Sequence, residues 1–216
     1  CKKSFFVIKV DTINKLYMKK FSLLIFISIY FVLATQAQYN CQLIGKKTYS
    51  GMNLSGSWGW NDTLNHKEYA LVGTTTGLSI VDITTPSTPV QVKFIPGSQG
   101  LWRECQTYKN YVYITQDDNS NANSEGVLIY DLSTLPNGKV DTFKGTTAND
   151  VIIRTHSLEI DDSGFLYLNG GRLEINGVGN NGTVIYDLKP NPKKPTLVGY
   201  TFSQSGTSTN YVHDCY

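Results

Sequence analysis

The chain has 216 residues, of which 40% are hydrophobic, 12% aromatic and 17% charged, with 14 Tyr, 19 Gly and 7 Pro. That is the make-up of a packed, β-rich protein and excludes a disordered or collagen-like one. The formal charge of +2 is unevenly spread: residues 1–37 hold six of the nineteen Lys and Arg and one of the seventeen Asp and Glu, which leaves the rest at −3. A mildly acidic body offers no basic surface for nucleic acid.

Residues 1–17 open on Cys1 and precede the first methionine, Met18, so they are expected to be an unstructured upstream extension. Residues 18–37 have the order of a secretion signal. Lys19 and Lys20 form a basic start, Phe21 to Ala34 is an apolar run broken only by Ser22 and Ser28, and Thr35-Gln36-Ala37 supplies small residues for cleavage. The run is shorter than the roughly 20 residues that span a bilayer, so export is expected rather than anchoring. The mature chain then starts at Gln38 and is a secreted or cell-surface protein with no membrane span of its own. It retains Cys41, Cys105 and Cys215, an odd number without the spacing of a zinc site.

From residue 38 onward one pattern recurs. Tyr69-Ala70-Leu71-Val72-Gly73 precedes Gly77-Leu78-Ser79-Ile80-Val81-Asp82, Tyr111-Val112-Tyr113-Ile114 precedes Gly126-Val127-Leu128-Ile129-Tyr130-Asp131, and Phe165-Leu166-Tyr167-Leu168 precedes Gly182-Thr183-Val184-Ile185-Tyr186-Asp187. Asp82, Asp131 and Asp187 mark the same structural point in each unit, 49 and then 56 residues apart. Alternating β-branched and aromatic residues punctuated by Gly, Pro, Asn and Asp predict strands. A period near 50 residues predicts a four-stranded blade of a β-propeller. Asn65-His66-Lys67-Glu68 and Asp161-Asp162-Ser163-Gly164 are expected as hairpin turns.

Ahead of each hairpin stands a shared opening: Trp58-Gly59-Trp60, Trp102-Arg103-Glu104-Cys105, Thr155-His156-Ser157-Leu158 and Tyr211-Val212-His213-Asp214-Cys215. Residues 38–216 are therefore expected to be an incomplete all-β propeller domain, with about three blades and the start of a fourth, forming the N-terminal piece of a longer protein. These openings, with Tyr69-Ala70-Leu71-Val72-Gly73, Gly77-Leu78-Ser79-Ile80-Val81-Asp82 and Val184-Ile185-Tyr186-Asp187-Leu188, resemble the choice-of-anchor B proteins among the LVIVD-repeat β-propellers, over nearly all of residues 41–216. The resemblance implies a bacterial exported propeller followed by a C-terminal anchoring segment. It implies no reaction.

The first strand of a propeller blade lines the central channel, so Arg103, Glu104, His156, His213 and Asp214 are candidates to converge there. Such a cluster suits a divalent metal, an anionic ligand or acid–base chemistry, or serves only to fix neighbouring blades through hydrogen bonds. Asp117, Asn119, Asn121 and Glu125 place oxygens at alternating positions, as a calcium loop does, although the stretch lacks the central glycine and otherwise reads as an exposed hairpin loop. Gly177-Val178-Gly179-Asn180-Asn181-Gly182 is not followed by a helix and is expected as part of a long hairpin loop. Trp58, Trp60 and Trp102 are expected to fill gaps between blades, with stacking on sugars as the alternative. The function expected is a non-catalytic scaffold that binds a protein or glycan at one rim. The alternative is a propeller hydrolase or lyase, or a metal-binding propeller, with its site in the channel.

Overall fold

The computed structural model describes residues 41–117, 125–148, 150–175, 178–201 and 211–215. The expected extension and signal segment lie outside them. Among the described residues the fold is all-β, with one single-turn 3-10 helix at Leu132–Thr134, and no helix is long and apolar enough to cross a membrane.

The first sheet runs β1 (Leu54–Asp62), β2 (Lys67–Thr74), β3 (Gly77–Asp82) and β4 (Val90–Pro96), each antiparallel to the next. The second repeats that meander with β5 (Cys105–Tyr108), β6 (Tyr111–Ile114), β7 (Val127–Asp131) and β8 (Val140–Phe143). A short β9 (Asp150–Arg154) leads into β10 (Ser157–Ile160) and β11 (Phe165–Asn169), and β12 (Arg172–Ile175) and β13 (Val178–Asn180) follow before β14 (Thr183–Asp187) and β15 (Thr196–Tyr200). Strands β10, β11, β14 and β15 form the third four-stranded sheet in the same order. These are successive blades of a partial propeller.

The aspartate markers occupy one structural position. Asp82, Asp131 and Asp187 end β3, β7 and β14 and pair with Tyr69, Tyr111 and Phe165. Each Oδ1 accepts the backbone N–H two residues on, from Thr84, Ser133 and Lys189, at 3.0, 3.0 and 2.9 Å. The next residue in each unit, Ile83, Leu132 or Leu188, donates its N–H across to Glu68, Asn110 or Gly164 at 2.9, 2.7 and 3.0 Å. An aspartate satisfies the turn after the third strand because a short carboxylate reaches the N–H of residue i+2.

Period-two alternation in the second blade sends residues to both of its faces. Val112, Ile114, Leu128 and Tyr130 join Tyr69, Leu71, Leu78, Ile80 and Ile95 of the first blade in one buried cluster. Tyr113, Val127, Ile129 and Phe143 join Leu158, Leu166, Leu168, Val184 and Tyr186 of the third in the other. The middle sheet is therefore buried by its neighbours on each side, the arrangement expected of a sheet too small to hide its own surfaces. The turn expected at Asn65–Glu68 lies two residues earlier, at Thr63–His66, with Lys67 and Glu68 already paired in β2, whereas the turn expected at Asp161–Gly164 is where it was placed, closed by Gly164 at φ +81°.

The glycine-rich stretch departs from its expected role as part of a hairpin loop. Instead β13 pairs with β12 and β12 with β9, giving a three-stranded sheet inserted in the third unit. Its apolar residues Ile152, Leu173 and Ile175 extend the core between the second and third blades. Hydrogen bonds from Ile152 N–H to the Lys144 carbonyl (3.1 Å) and from Gly126 N–H to the Ile153 carbonyl (3.5 Å) tie it to the end of the second blade.

Candidate functional site

Strand β5 contacts both β1 and β10, so the first strands of the three blades lie side by side. Residues 56–58, 104–106, 157–159 and 214–215 line a cleft of about 230 Å³ between them. All four openings thus reach one place. Side chains fasten the inner strands where backbone pairing is absent: Gln106 donates to Glu159 Oε2 (2.7 Å) and accepts from Ile160 N–H (2.8 Å), and Trp58 donates its indole N–H to Thr107 Oγ1 (3.0 Å).

The five channel candidates separate into three environments. Glu104 and Asp214 line the cleft. Burial pushes the Glu104 carboxyl above its ordinary value of 4.5, reinforced by Asp214 and opposed by the Leu158 N–H and the two histidines. A carboxyl whose folded pKa is raised makes the ionised form unfavourable in the fold, and the cost is complete above the folded pKa and absent below the unfolded value, about 4.3. Glu104→Gln should therefore raise the melting temperature at pH 7. The gain should shrink toward zero near pH 4, and melts of both proteins at the two pH values check it.

Arg103 lies in the interior, fully buried. Its Nε donates to the Thr74 carbonyl (3.2 Å), Nη2 to the Ser98 carbonyl (2.5 Å) and Nη1 faces Glu125 Oε2 at 3.4 Å. Glu125 also accepts from the N–H and hydroxyl of Ser98, at 2.9 and 3.0 Å. Burial lowers the guanidinium pKa and the Glu125 charge opposes this.

His156 and His213 meet each other beside the cleft. Their Nε2 atoms are 2.9 Å apart, His156 Nδ1 is 2.8 Å from Asp117 Oδ2, and His213 Nδ1 is 2.5 Å from Asp214 Oδ2. Asp117 Oδ1 also holds Arg154 Nη1 at 2.8 Å. The His213 bond is the largest cause of a lowered Asp214 pKa. Backbone ties set the last segment in place: Ser157 Oγ donates to the His213 carbonyl (2.6 Å) and Val212 N–H to the Asn181 carbonyl (3.0 Å). The result is a linear series of Asp117, His156, His213 and Asp214, joining the end of β6, the start of β10 and the fourth opening.

Of the calcium-loop candidates, Asn119 and Asn121 lie outside the described residues, while the Asp117 and Glu125 carboxylates face cationic or imidazole partners. Among the described residues no group of three or more His, Cys, Asp or Glu forms a metal cage. Cys41, Cys105 and Cys215 are free thiols, and burial pushes the Cys105 thiol up to about 12. The tryptophans divide. Trp60 packs on the first core and stacks on Tyr69 with ring centres 5.4 Å apart, Trp58 sits half-exposed in the cleft between the first and second blades, and Trp102, 54% exposed, does not fill a gap between blades. Trp102 and the exposed Tyr211 set their rings 6.0 and 5.8 Å from that of His156. Tyr211, which begins the fourth opening, and Arg154, which the sequence reading did not single out, both belong to this cluster. Their one signal is that each lies within two residues of a candidate histidine.

Residues 67–94, which carry β2, β3 and the first five residues of β4, match the LVIVD repeat family. No curated protein and no solved structure matches the chain. The fold and this match together define the class as a β-propeller-like repeat protein.

Proposed function

We propose that the chain belongs to an exported, non-catalytic binding scaffold of the choice-of-anchor B type, displayed at or released from a bacterial surface, with a glycan as partner. The observation that carries this reading is the exposed pair Trp102 and Tyr211 beside His156 and His213. Exposed ring faces next to carboxylates and a guanidinium supply both the stacking surface and the hydrogen-bonding groups that a sugar ring needs. The basic, apolar and small-residue order of residues 18–37 supports export.

A propeller enzyme would use the same histidines. Asp117 orients His156 as a carboxylate orients a general base, but Nε2 of that imidazole faces His213, and Ser157 and Cys215 hydrogen-bond elsewhere. This favours binding over turnover. Titration calorimetry of the full chain against soluble bacterial polysaccharides tests the proposal. Trp102→Ala and Tyr211→Ala should each weaken binding by about tenfold or more, the scale of a lost aromatic contact. Binding that survives both changes would overturn the assignment, and so would an absence of glycan binding alongside capture of a peptide at the same surface.

A further inference from the structure

We propose that His156 and His213 chelate a divalent transition-metal ion of tetragonal preference, nickel(II) or copper(II), through their Nε2 atoms. This holds whatever partner the aromatic surface takes.

Two observations carry it. The first is the approach of the two rings. A collinear Nε2–H···Nε2 hydrogen bond of 2.9 Å would hold the ring centres roughly 5 Å apart, since hydrogen bonds prefer a straight donor line. The ring centres are instead 4.2 Å apart with the planes at 62°, so the two rings are bent well away from a straight Nε2–H···Nε2 line. An ion about 2.0–2.1 Å from each nitrogen would see two atoms 2.9 Å apart at an angle of roughly 90°. That is the cis angle of a square-planar or tetragonal site, which suits copper(II) and nickel(II), whereas a tetrahedral zinc site requires a wider one.

The second observation is on the opposite side of each ring. Both Nδ1 atoms rest on carboxylates, Asp117 at 2.8 Å and Asp214 at 2.5 Å. Metal-ligating histidines commonly hold Nδ1–H on a carboxylate, which fixes the tautomer, directs the Nε2 lone pair outward and raises its basicity. Here both members of the pair have that support. His156 is almost fully buried, whereas the His213 side chain is 67% exposed and leaves a path for an ion to enter. Water completes the coordination, as expected where two imidazoles are the protein ligands.

The test uses the full chain, stripped of metal with a chelator and titrated calorimetrically with nickel(II) chloride, which avoids the thiol oxidation that copper would bring. The expected result is one nickel ion per chain. Either His156→Gln or His213→Gln should lower affinity by at least about tenfold, Asp117→Asn should lower it by about 10- to 100-fold, and His66→Gln should leave it unchanged. Nickel should also bind more tightly than zinc. Because His213 is mostly exposed, His213→Gln should keep the wild-type circular dichroism spectrum and separates lost coordination from lost folding. Nickel uptake that survives His213→Gln, uptake abolished by His66→Gln, no uptake by the folded wild type, or a preference for zinc would each overturn the proposal.

Discussion

Replacing Arg103 with Met should destabilise the folded chain by about 3–5 kcal/mol, the scale for removing one member of a buried ionic and hydrogen-bonded group. The guanidinium is fully buried and its three nitrogens serve Thr74, Ser98 and Glu125. Methionine fills much of the volume and satisfies none of them, so the buried Thr74 carbonyl and the partly buried Ser98 carbonyl lose their donors. Lysine keeps the charge but not the planar fork, and should recover only part of the loss. Space for the fork depends on Gly97, where a Cβ would stand 2.6 Å from Nη1. Urea unfolding of the three proteins measures the effect, and a Met variant within about 0.5 kcal/mol of wild type, the range of ordinary surface changes, would show that the buried guanidinium contributes little.

Ile80→Ala and Ile129→Ala should each cost about 2–5 kcal/mol, because both side chains are fully buried and their removal leaves cavities. The two lie in different clusters, Ile80 between the first and second blades and Ile129 between the second and third. Trp58 and Trp60 lie in β1, whereas the Trp102 ring stands beside His156, so in a Trp102→Phe background the remaining tryptophan fluorescence reports the first blade and its connection to the second. Since the second blade contributes to both clusters, Ile129→Ala should shift the tryptophan transition and the circular dichroism transition together. Neighbour-coupled repeats behave this way when the interfaces, rather than the single units, supply the stability. A dichroism shift with the tryptophan transition unmoved would mean that the blades unfold separately.

The blades were legible because each one carries its own markers. Asp82, Asp131 and Asp187 make the same side-chain contact at the same turn, and a short carboxylate makes that contact to the N–H two residues on better than most side chains, so the chemistry repeats in the letters. The small sheet of β9, β12 and β13 was not legible. Its strands are three to five residues long, too short to show alternation, and glycine and asparagine in β13 read as loop. At the site, the residues could be named but not paired. Asp117 and His156 are 39 positions apart and His156 and His213 are 57, distances that only the stacking of blades closes. Arg103 and Glu104 follow the rule that neighbours in extended chain point opposite ways, which sends one into the interior and the other into the cleft.

The amide of Gln106 links β5 to the third blade with both its ends, so the innermost strands stand no farther apart than one such side chain reaches. Farther out the same two blades are separated by whole rings, Phe143 edge-on to Tyr186 with centres 5.0 Å apart. A thin inner joint and a thick outer filling make a wedge, and the taper of a wedge decides how many copies complete a circle. Shortening the joint with Gln106→Asn or thinning the filling with Phe143→Leu would change that taper in opposite directions.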